Sequence, residues 1–141
     1  MDTNSLIQQI DVMSGERFER FICWLLQSKN YKVLRVGTSL FRSKQRRITG
    51  GFYQALRDFG ADIIAEKEGE KIAVQTKRCK RPVGKEAVKQ AVSALKHYRC
   101  HKALVISNNC YTKTALKLAS RKRIKLWDRD LLFQELREIT Y

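Results

Sequence analysis

Two apolar runs joined by a glycine-bearing turn constrain the fold of this chain more than any other feature. The first run, 61–66, has Asp62 near its start, and the second run, 70–78, carries Gln75 and Lys77. Runs of this length around a tight turn are typical of a β-hairpin. Because side chains two residues apart on a strand point to the same face, Gln75 and Lys77 share a face. The hairpin therefore brings a carboxylate, an amide and an ammonium group to the ends of two neighbouring strands.

These three groups suit the metal-dependent cleavage of phosphodiester bonds. Magnesium prefers oxygen ligands and keeps several waters, so it needs few ligands from the protein. Asp62, the side-chain oxygen of Gln75 and the backbone carbonyl of Thr76 could supply them. Lys77 would then orient or deprotonate the attacking water, or offset charge that develops on the phosphate. By spacing alone, an aspartate and a lysine at strand ends are more often an ordinary surface ion pair.

A predicted helix supplies a second carboxylate. The helix runs from Ser14, a suitable N-cap, to about residue 29. Its buried stripe consists of apolar residues at helical spacing: Phe18, Phe21, Ile22, Leu25 and Leu26. At about 100° per residue, Glu19 falls at the edge of this stripe, so its carboxylate faces the fold. From there Glu19 could bind a water of the metal's shell and add the negative charge that Gln75 lacks.

The rest of the chain alternates between helical and strand patterns. Helices are predicted over 4–12, 85–98 and 112–120, and strands over 31–36, 102–107 and 124–127. Asp128 is expected to cap a last helix, and Leu116 is expected to point inward with its alanine neighbours. A hairpin first and crossover connections later predict an α/β fold with a mixed central sheet and helices on both faces. At 141 residues the chain is expected to form a single domain.

The charge of the chain points to a polyanionic partner. There are 29 lysines and arginines against 14 acidic residues, which gives a net charge of +15. The positive charges are clustered, which favours nucleic acid over a solubility surface or a membrane-surface patch. One cluster lies in a long connection over 37–57, and another follows the second run of the hairpin. We expect phosphate contacts from Arg42, Lys44, Arg46, Arg47, Arg78, Lys80, Arg81 and Lys85.

Other classes of protein are not indicated. No apolar run approaches the roughly 20 residues of a membrane-spanning helix, and no basic segment followed by an apolar one marks a signal peptide. We therefore expect a cytoplasmic protein with no membrane partner. The 4 cysteines form no CxxC pair and no common zinc spacing, which predicts reduced thiols.

A series of short motifs resembles a known nuclease family. The motifs are GERFERF at 15–21, NYKV at 30–33, DFGADIIA at 58–65, VQTKR at 74–78, LVISN at 104–108 and IKLWD at 124–128. In this order they resemble the Mrr-type catalytic domain of the restriction-endonuclease-like PD-(D/E)XK nuclease superfamily. The resemblance covers nearly the whole chain and implies a three-layer restriction-endonuclease-like fold.

The resemblance also implies roles for particular residues. It assigns Asp62, Gln75 and Lys77 to the catalytic core, with Glu19 assisting and Asp58 in a supporting position. It implies magnesium as the cofactor, with manganese as a substitute. Two departures stand out: the basic connection over 37–57 is longer than the glycine-rich link of the family, and no separate DNA-reading domain is recognised.

The sequence thus predicts a magnesium-dependent DNA endonuclease of the Mrr-like type, acting as a homodimer on double-stranded DNA. Two alternatives stay within the superfamily: a Holliday junction resolvase, suggested by the small size and high charge, and a homing-type endonuclease. A third alternative is a DNA-binding module that has lost catalysis, because Gln75 stands where relatives have glutamate. Composition does not exclude RNA as the substrate.

Overall fold

The computed structural model describes residues 2–37 and 60–140. Its helices are α1 Thr3–Asp11, α2 Gly15–Ser28, α3 Lys85–His97, α4 Lys113–Lys122 and α5 Arg129–Thr140. Its strands are β1 Lys32–Val36, β2 Ile63–Lys67, β3 Glu70–Lys77, β4 Lys102–Ser107 and β5 Lys125–Trp127. Apart from Gly37, the predicted basic connection lies outside the described residues, as does Asp58. Within the described ranges no helix has the length and apolar character needed to cross a membrane.

The strands form one mixed sheet in the order β1-β2-β3-β4-β5. The first three strands pair antiparallel, whereas β3 pairs with β4 and β4 with β5 in parallel. Parallel neighbours need crossover connections, and α3 and α4 provide them. The mixed sheet predicted from the hairpin and the later alternation of helices and strands is confirmed.

The hairpin between β2 and β3 has a loop of two residues, Glu68 and Gly69. Both have positive φ, 52° and 80°, as a type I′ turn requires. The turn sets Lys67 opposite Glu70, and the pairing continues for five residue pairs until Ile63 lies opposite Val74. Asp62 immediately precedes β2, so it lies beside the carboxyl end of β3.

Helices cover both faces of the sheet and enclose two hydrophobic cores. On one face α1, α2 and α5 pack against strand residues such as Ile63 and Val74. On the other face α3 and α4 pack against Ile64, Ala73 and Val105. Alanines make up much of this second core, so the two helices lie close to the sheet. The three-layer α/β architecture expected from the sequence is confirmed.

The helix starts follow the predicted capping residues. The backbone N–H of Arg17 donates to Ser14 Oγ at 3.2 Å, and the N–H of Leu131 donates to Asp128 Oδ1 at 2.9 Å. The predicted burial of Leu116 is wrong, because its side chain is 51% exposed. Alanines at positions 115 and 119 form the buried face of α4, and Leu116 lies about 100° around the helix from the first of them.

Candidate active site

A cavity of about 340 Å³ lies between α2 and α3, at the place where β2 begins and β3 ends. Five predicted residues line it: Glu19, Asp62, Gln75, Thr76 and Lys77. The other three lining residues are Gly15, Glu16 and Gln90. The helix, the hairpin and the crossover helix thus converge on one place. Among the residues lining this cavity are all four side chains predicted to be catalytic.

Asp62 is held at the cavity by the end of β3. Its backbone N–H donates at 2.8 Å to the carbonyl of Val74, the residue that also pairs with Ile63. Its carboxylate Oδ2 accepts bonds from Thr76, from the backbone N–H at 2.7 Å and from Oγ1 at 3.0 Å. Beyond the last residue pair of the hairpin, the Thr76 N–H thus donates to this carboxylate instead of to a backbone carbonyl of β2. Two donors from one residue fix the orientation of the Asp62 side chain.

The same contact indicates where the Thr76 carbonyl points. In an antiparallel pair, the N–H and C=O of one residue face the same neighbouring strand. Because the Thr76 N–H faces Asp62, the Thr76 C=O faces the same side of β3. The backbone oxygen that was expected to act as a ligand is thus directed toward the β2 side, where Asp62 lies.

Glu19 and Gln75 bring two further oxygen-bearing groups to the cavity. Glu19 lies on α2 and is only 1% exposed, and Gln75 on β3 is 8% exposed. The helical spacing had placed Glu19 at the edge of the buried stripe, and the structure places it inside. Burying carboxylates is costly unless cations or hydrogen bonds compensate them. A cavity with two buried carboxylates, Glu19 and Asp62, is therefore suited to a cation.

The electrostatics of a nearby thiol agree with this placement. Cys23 follows Glu19 by about one turn of α2. Burial raises the pKa of the Cys23 thiol to about 12, and the negative charges of Glu19 and Asp62 add to the effect. Both carboxylates thus act on one region of the interior. Burial and these two charges therefore favour the protonated thiol at neutral pH.

The donor set fits a magnesium-type ion. Among the described residues, no three histidine, cysteine or acidic side chains form a group that could hold a metal ion. The donors at the cavity are instead two carboxylates, the amide oxygen of Gln75 and the Thr76 carbonyl. All are oxygens, which magnesium prefers, and an ion that keeps several waters needs few of them. A structural zinc site, with its nitrogen and sulfur ligands, does not fit.

Lys77 and Gln90 complete the polar lining of the cavity. Lys77 is half-buried at the end of β3, on the face it shares with Gln75. Gln90 comes from α3 and was not predicted from the sequence. Its position depends on Gly60, because a Cβ added at Gly60 would lie 2.1 Å from the backbone oxygen of Gln90. This close approach packs α3 against the chain just before Asp62.

A polar network lies beyond the carboxyl ends of β3 and β4. The carboxylate of Asp11 accepts from Arg129 Nη1 at 2.6 Å and from Asn108 Nδ2 at 3.1 Å. The Asn108 side-chain oxygen in turn accepts from the Cys79 N–H at 2.7 Å. The Arg129 hydrogen bond is the main reason why the pKa of Asp11 lies below its usual value. The network ties the ends of α1 and β4 and the start of α5 to the segment after Lys77.

The structure describes four of the eight basic residues that were predicted to contact DNA. Arg78 donates to the backbone oxygen of Asp11 at 3.3 Å, so part of its side chain supports the network. Lys80 and Arg81 are exposed, and Lys85 lines a different cavity. The remaining predicted contacts lie outside the described residues: Arg42, Lys44, Arg46 and Arg47.

A mixed five-stranded sheet with helices on both faces is consistent with a restriction-endonuclease-like fold. The family model of the Mrr catalytic domain, described as restriction endonuclease, matches residues 10–136. The chain belongs to this family, which confirms the resemblance seen in its motifs.

Solved structures support the fold. A crystal structure of a protein of unknown function, AF1548, superposes with a TM-score of 0.58 at 13% sequence identity. The likeness covers 84% of this chain and 65% of that one. No match was found among curated proteins. At this identity the comparison speaks for the architecture alone.

Proposed function

We propose that the protein is a magnesium-dependent endonuclease that hydrolyses phosphodiester bonds in DNA. The observation that carries the proposal is the convergence of Glu19, Asp62, Gln75 and Lys77 on one cavity at the ends of β2 and β3. Membership of a restriction endonuclease family supports nuclease activity. The choice of magnesium rests on the oxygen donors of this cavity, and manganese is expected to substitute for it.

Asp62, the side-chain oxygen of Gln75 and the Thr76 carbonyl would hold the metal, with Glu19 assisting through a water. A bound divalent cation supplies Lewis-acid polarisation of the phosphate and lowers the pKa of water. Thr76 keeps the Asp62 carboxylate in a fixed direction through its two hydrogen bonds. Gln75 brings an oxygen without a charge, so Glu19 supplies the second carboxylate.

Lys77 is the residue proposed to act on the reacting groups. Its side chain leaves β3 on the same face as that of Gln75, with the two Cα atoms about 6.6 Å apart along the strand. From there it orients the attacking water, takes part in the transfer of its proton, and offsets negative charge on the phosphate in the transition state. Loss of this ammonium group is expected to slow the chemical step far more than DNA binding.

The positive charge of the chain supports DNA as the substrate. Lys80 and Arg81 are exposed in the segment that follows Lys77, where they would contact phosphates on either side of the cleaved bond. The basic connection over 37–57 is proposed to add further contacts. For cutting both strands we expect a homodimer, and we expect the protein to act in the cytoplasm.

The proposal is tested by cleavage of supercoiled plasmid and of a labelled four-way junction, each with magnesium, manganese or EDTA. Wild-type protein is compared with Lys77→Ala and with Lys96→Ala, which removes the same charge from an exposed position on the last turn of α3. We expect metal-dependent cutting by wild type and Lys96→Ala, and a loss of at least about 100-fold in Lys77→Ala.

The outcomes separate the alternatives. Preference for the four-way junction over linear duplex would indicate a resolvase, and one long defined cut site would indicate a homing-type enzyme. Full activity of Lys77→Ala would refute the assigned site. DNA binding without cutting by wild type, in every metal, would show a binding module on a nuclease fold.

A further inference from the structure

A second cavity, of about 640 Å³, lies between α3 and α4 and takes no part in the chemistry proposed above. We name it the α3–α4 groove. It is lined by Lys85, Lys89, Thr114, Lys117, Leu118, Ser120 and Arg121. As far as the structure describes the chain, this lining contains four cations, two hydroxyl groups and no carboxylate.

Helical spacing accounts for the concentration of charge. Lys85 and Lys89 are four residues apart on α3 and lie on one face. Lys117 and Arg121, also four residues apart, line the groove from α4. Lys89 pairs with Glu86 at 3.5 Å, but both side chains are more than half exposed, so the pair is weak. No ion pair to the other three cations is found among residues 2–37 and 60–140.

The two helices that form the groove start beyond the carboxyl ends of β3 and β4. Beyond β3 and β4, Val83 and Tyr111 form an isolated bridge that sets the starts of α3 and α4 side by side. The N–H of Val83 donates to Cys110 O at 2.8 Å, and the N–H of Thr112 donates to Val83 O at 2.9 Å. α3 and α4 therefore begin side by side, and α3 follows β3, which carries Gln75 and Lys77 near its carboxyl end.

One helix separates the two cavities. On α3, Gln90 lines the active-site cavity and the preceding Lys89 lines the groove. Successive residues differ by about 100° around a helix, so these side chains leave different sides of α3. The two cavities therefore lie on different sides of one helix, whose diameter with side chains is roughly 10–12 Å. A nucleic acid strand rising about 3.4 Å per nucleotide covers that distance in about three nucleotides.

We infer that the α3–α4 groove binds the phosphate backbone of the same DNA duplex whose cleaved phosphate lies in the active-site cavity. The inference rests on the proposed function for the identity of the ligand. Flexible lysines and hydroxyl groups bind phosphate oxygens without reading bases. The groove is therefore an anchor that holds DNA beside the site independently of sequence.

The test measures DNA binding by the full chain in EDTA, where cutting is prevented. A labelled 30-base-pair duplex is titrated at several salt concentrations with wild type, with Lys117→Ala/Arg121→Ala, and with Lys122→Ala/Lys125→Ala. The last variant removes the same charge from exposed positions outside the groove. Thermal unfolding establishes that all three proteins fold.

The groove variant is expected to bind DNA about tenfold more weakly. The plot of log K against log salt should become less steep by about 2, one unit for each lost phosphate contact. The control variant is expected to keep the wild-type slope. With saturating DNA and magnesium, the groove variant should still cut, because the groove does not touch the reacting phosphate.

Two results would overturn the inference. The first is an equal salt slope for the groove and control variants. If wild type still cut DNA in that case, the proposed function would stand without the groove. Binding to phosphatidylserine vesicles that is lost only in the groove variant, with DNA binding unchanged, would assign the groove to a membrane surface. Groove-dependent DNA binding without cutting in any metal would instead uphold the groove and refute the endonuclease.

Discussion

Gly60 is the position at which one methyl group is expected to disturb both the fold and the active site. An added Cβ would lie 2.1 Å from the backbone oxygen of Gln90, about 1.3 Å short of the 3.4 Å at which ordinary contact begins. Since φ is +85°, alanine is also strained there by about 1 kcal/mol. Relieving the overlap requires a backbone shift that costs about 1–3 kcal/mol. We expect Gly60→Ala to lower the free energy of unfolding by about 2–4 kcal/mol.

Gly69 provides the matched control for Gly60. Its φ is +80°, but a Cβ added there meets no atom within 4 Å. Gly69→Ala should therefore show the strain alone, about 1 kcal/mol. Urea unfolding followed by circular dichroism measures both variants. The reasoning fails if Gly60→Ala is no more destabilised than Gly69→Ala.

The same substitution has a predicted effect on activity. Gln90 and Asp62 line one cavity, and Gly60 lies against the backbone of Gln90 two positions before Asp62, so the shift changes the placement of the two side chains. A displacement of about 1 Å at a reacting centre can cost about 100-fold in rate. On the proposed function, the plasmid-nicking rate of Gly60→Ala should fall by about this factor, whereas Gly69→Ala should retain the wild-type rate.

Two further predictions concern hydrogen bonds of carboxylates. Thr76→Val removes the hydroxyl bond to Asp62 but keeps the backbone bond, so the rate of DNA cutting should fall about tenfold. Thr76→Ser keeps the hydroxyl and should stay active. Equal activity of the two variants would show that the hydroxyl does not position Asp62. The lowered pKa of Asp11 means that its pair with Arg129 stabilises the fold above the ordinary pKa of 3.8 and is lost as the pH falls through the lower folded value. Because the pair is partly exposed, Asp11→Asn should cost about 0.5–1 kcal/mol at pH 7 and little in strong acid. Urea unfolding across this pH range measures the difference, and an equal cost at both ends would contradict it.

Features that depend on neighbouring residues were predictable from the sequence. Capping residues such as Ser14 and Asp128 satisfy N–H groups only three residues away, so the helix starts could be predicted locally. The two-residue period of β3 put Gln75 and Lys77 on one face without knowledge of the other strands. Likewise, the helical period alone directed Glu19 toward the fold.

Features that depend on how helices cross the sheet were not predictable in this way. Gln90 lies in the cavity because α3 approaches Gly60, thirty positions earlier in the chain, and no local pattern shows this contact. The side chains of Asp11 and Arg129 meet across 118 positions. Leu116 matched the helical pattern, but the small residues of α4 form its buried face, so it was placed inward wrongly.

The two-residue loop at Glu68 and Gly69 has a consequence for which insertions and deletions the chain can tolerate. The loop sets the pairing of the two strands, and through five successive pairs it determines that Asp62 meets Thr76. Because strand side chains alternate between faces, adding or removing one residue in the loop would bring the carboxylate to a different partner. The length of this exposed turn is therefore constrained by chemistry at the far end of the hairpin. Variation in length should be rare at this turn even though the turn touches nothing in the active site.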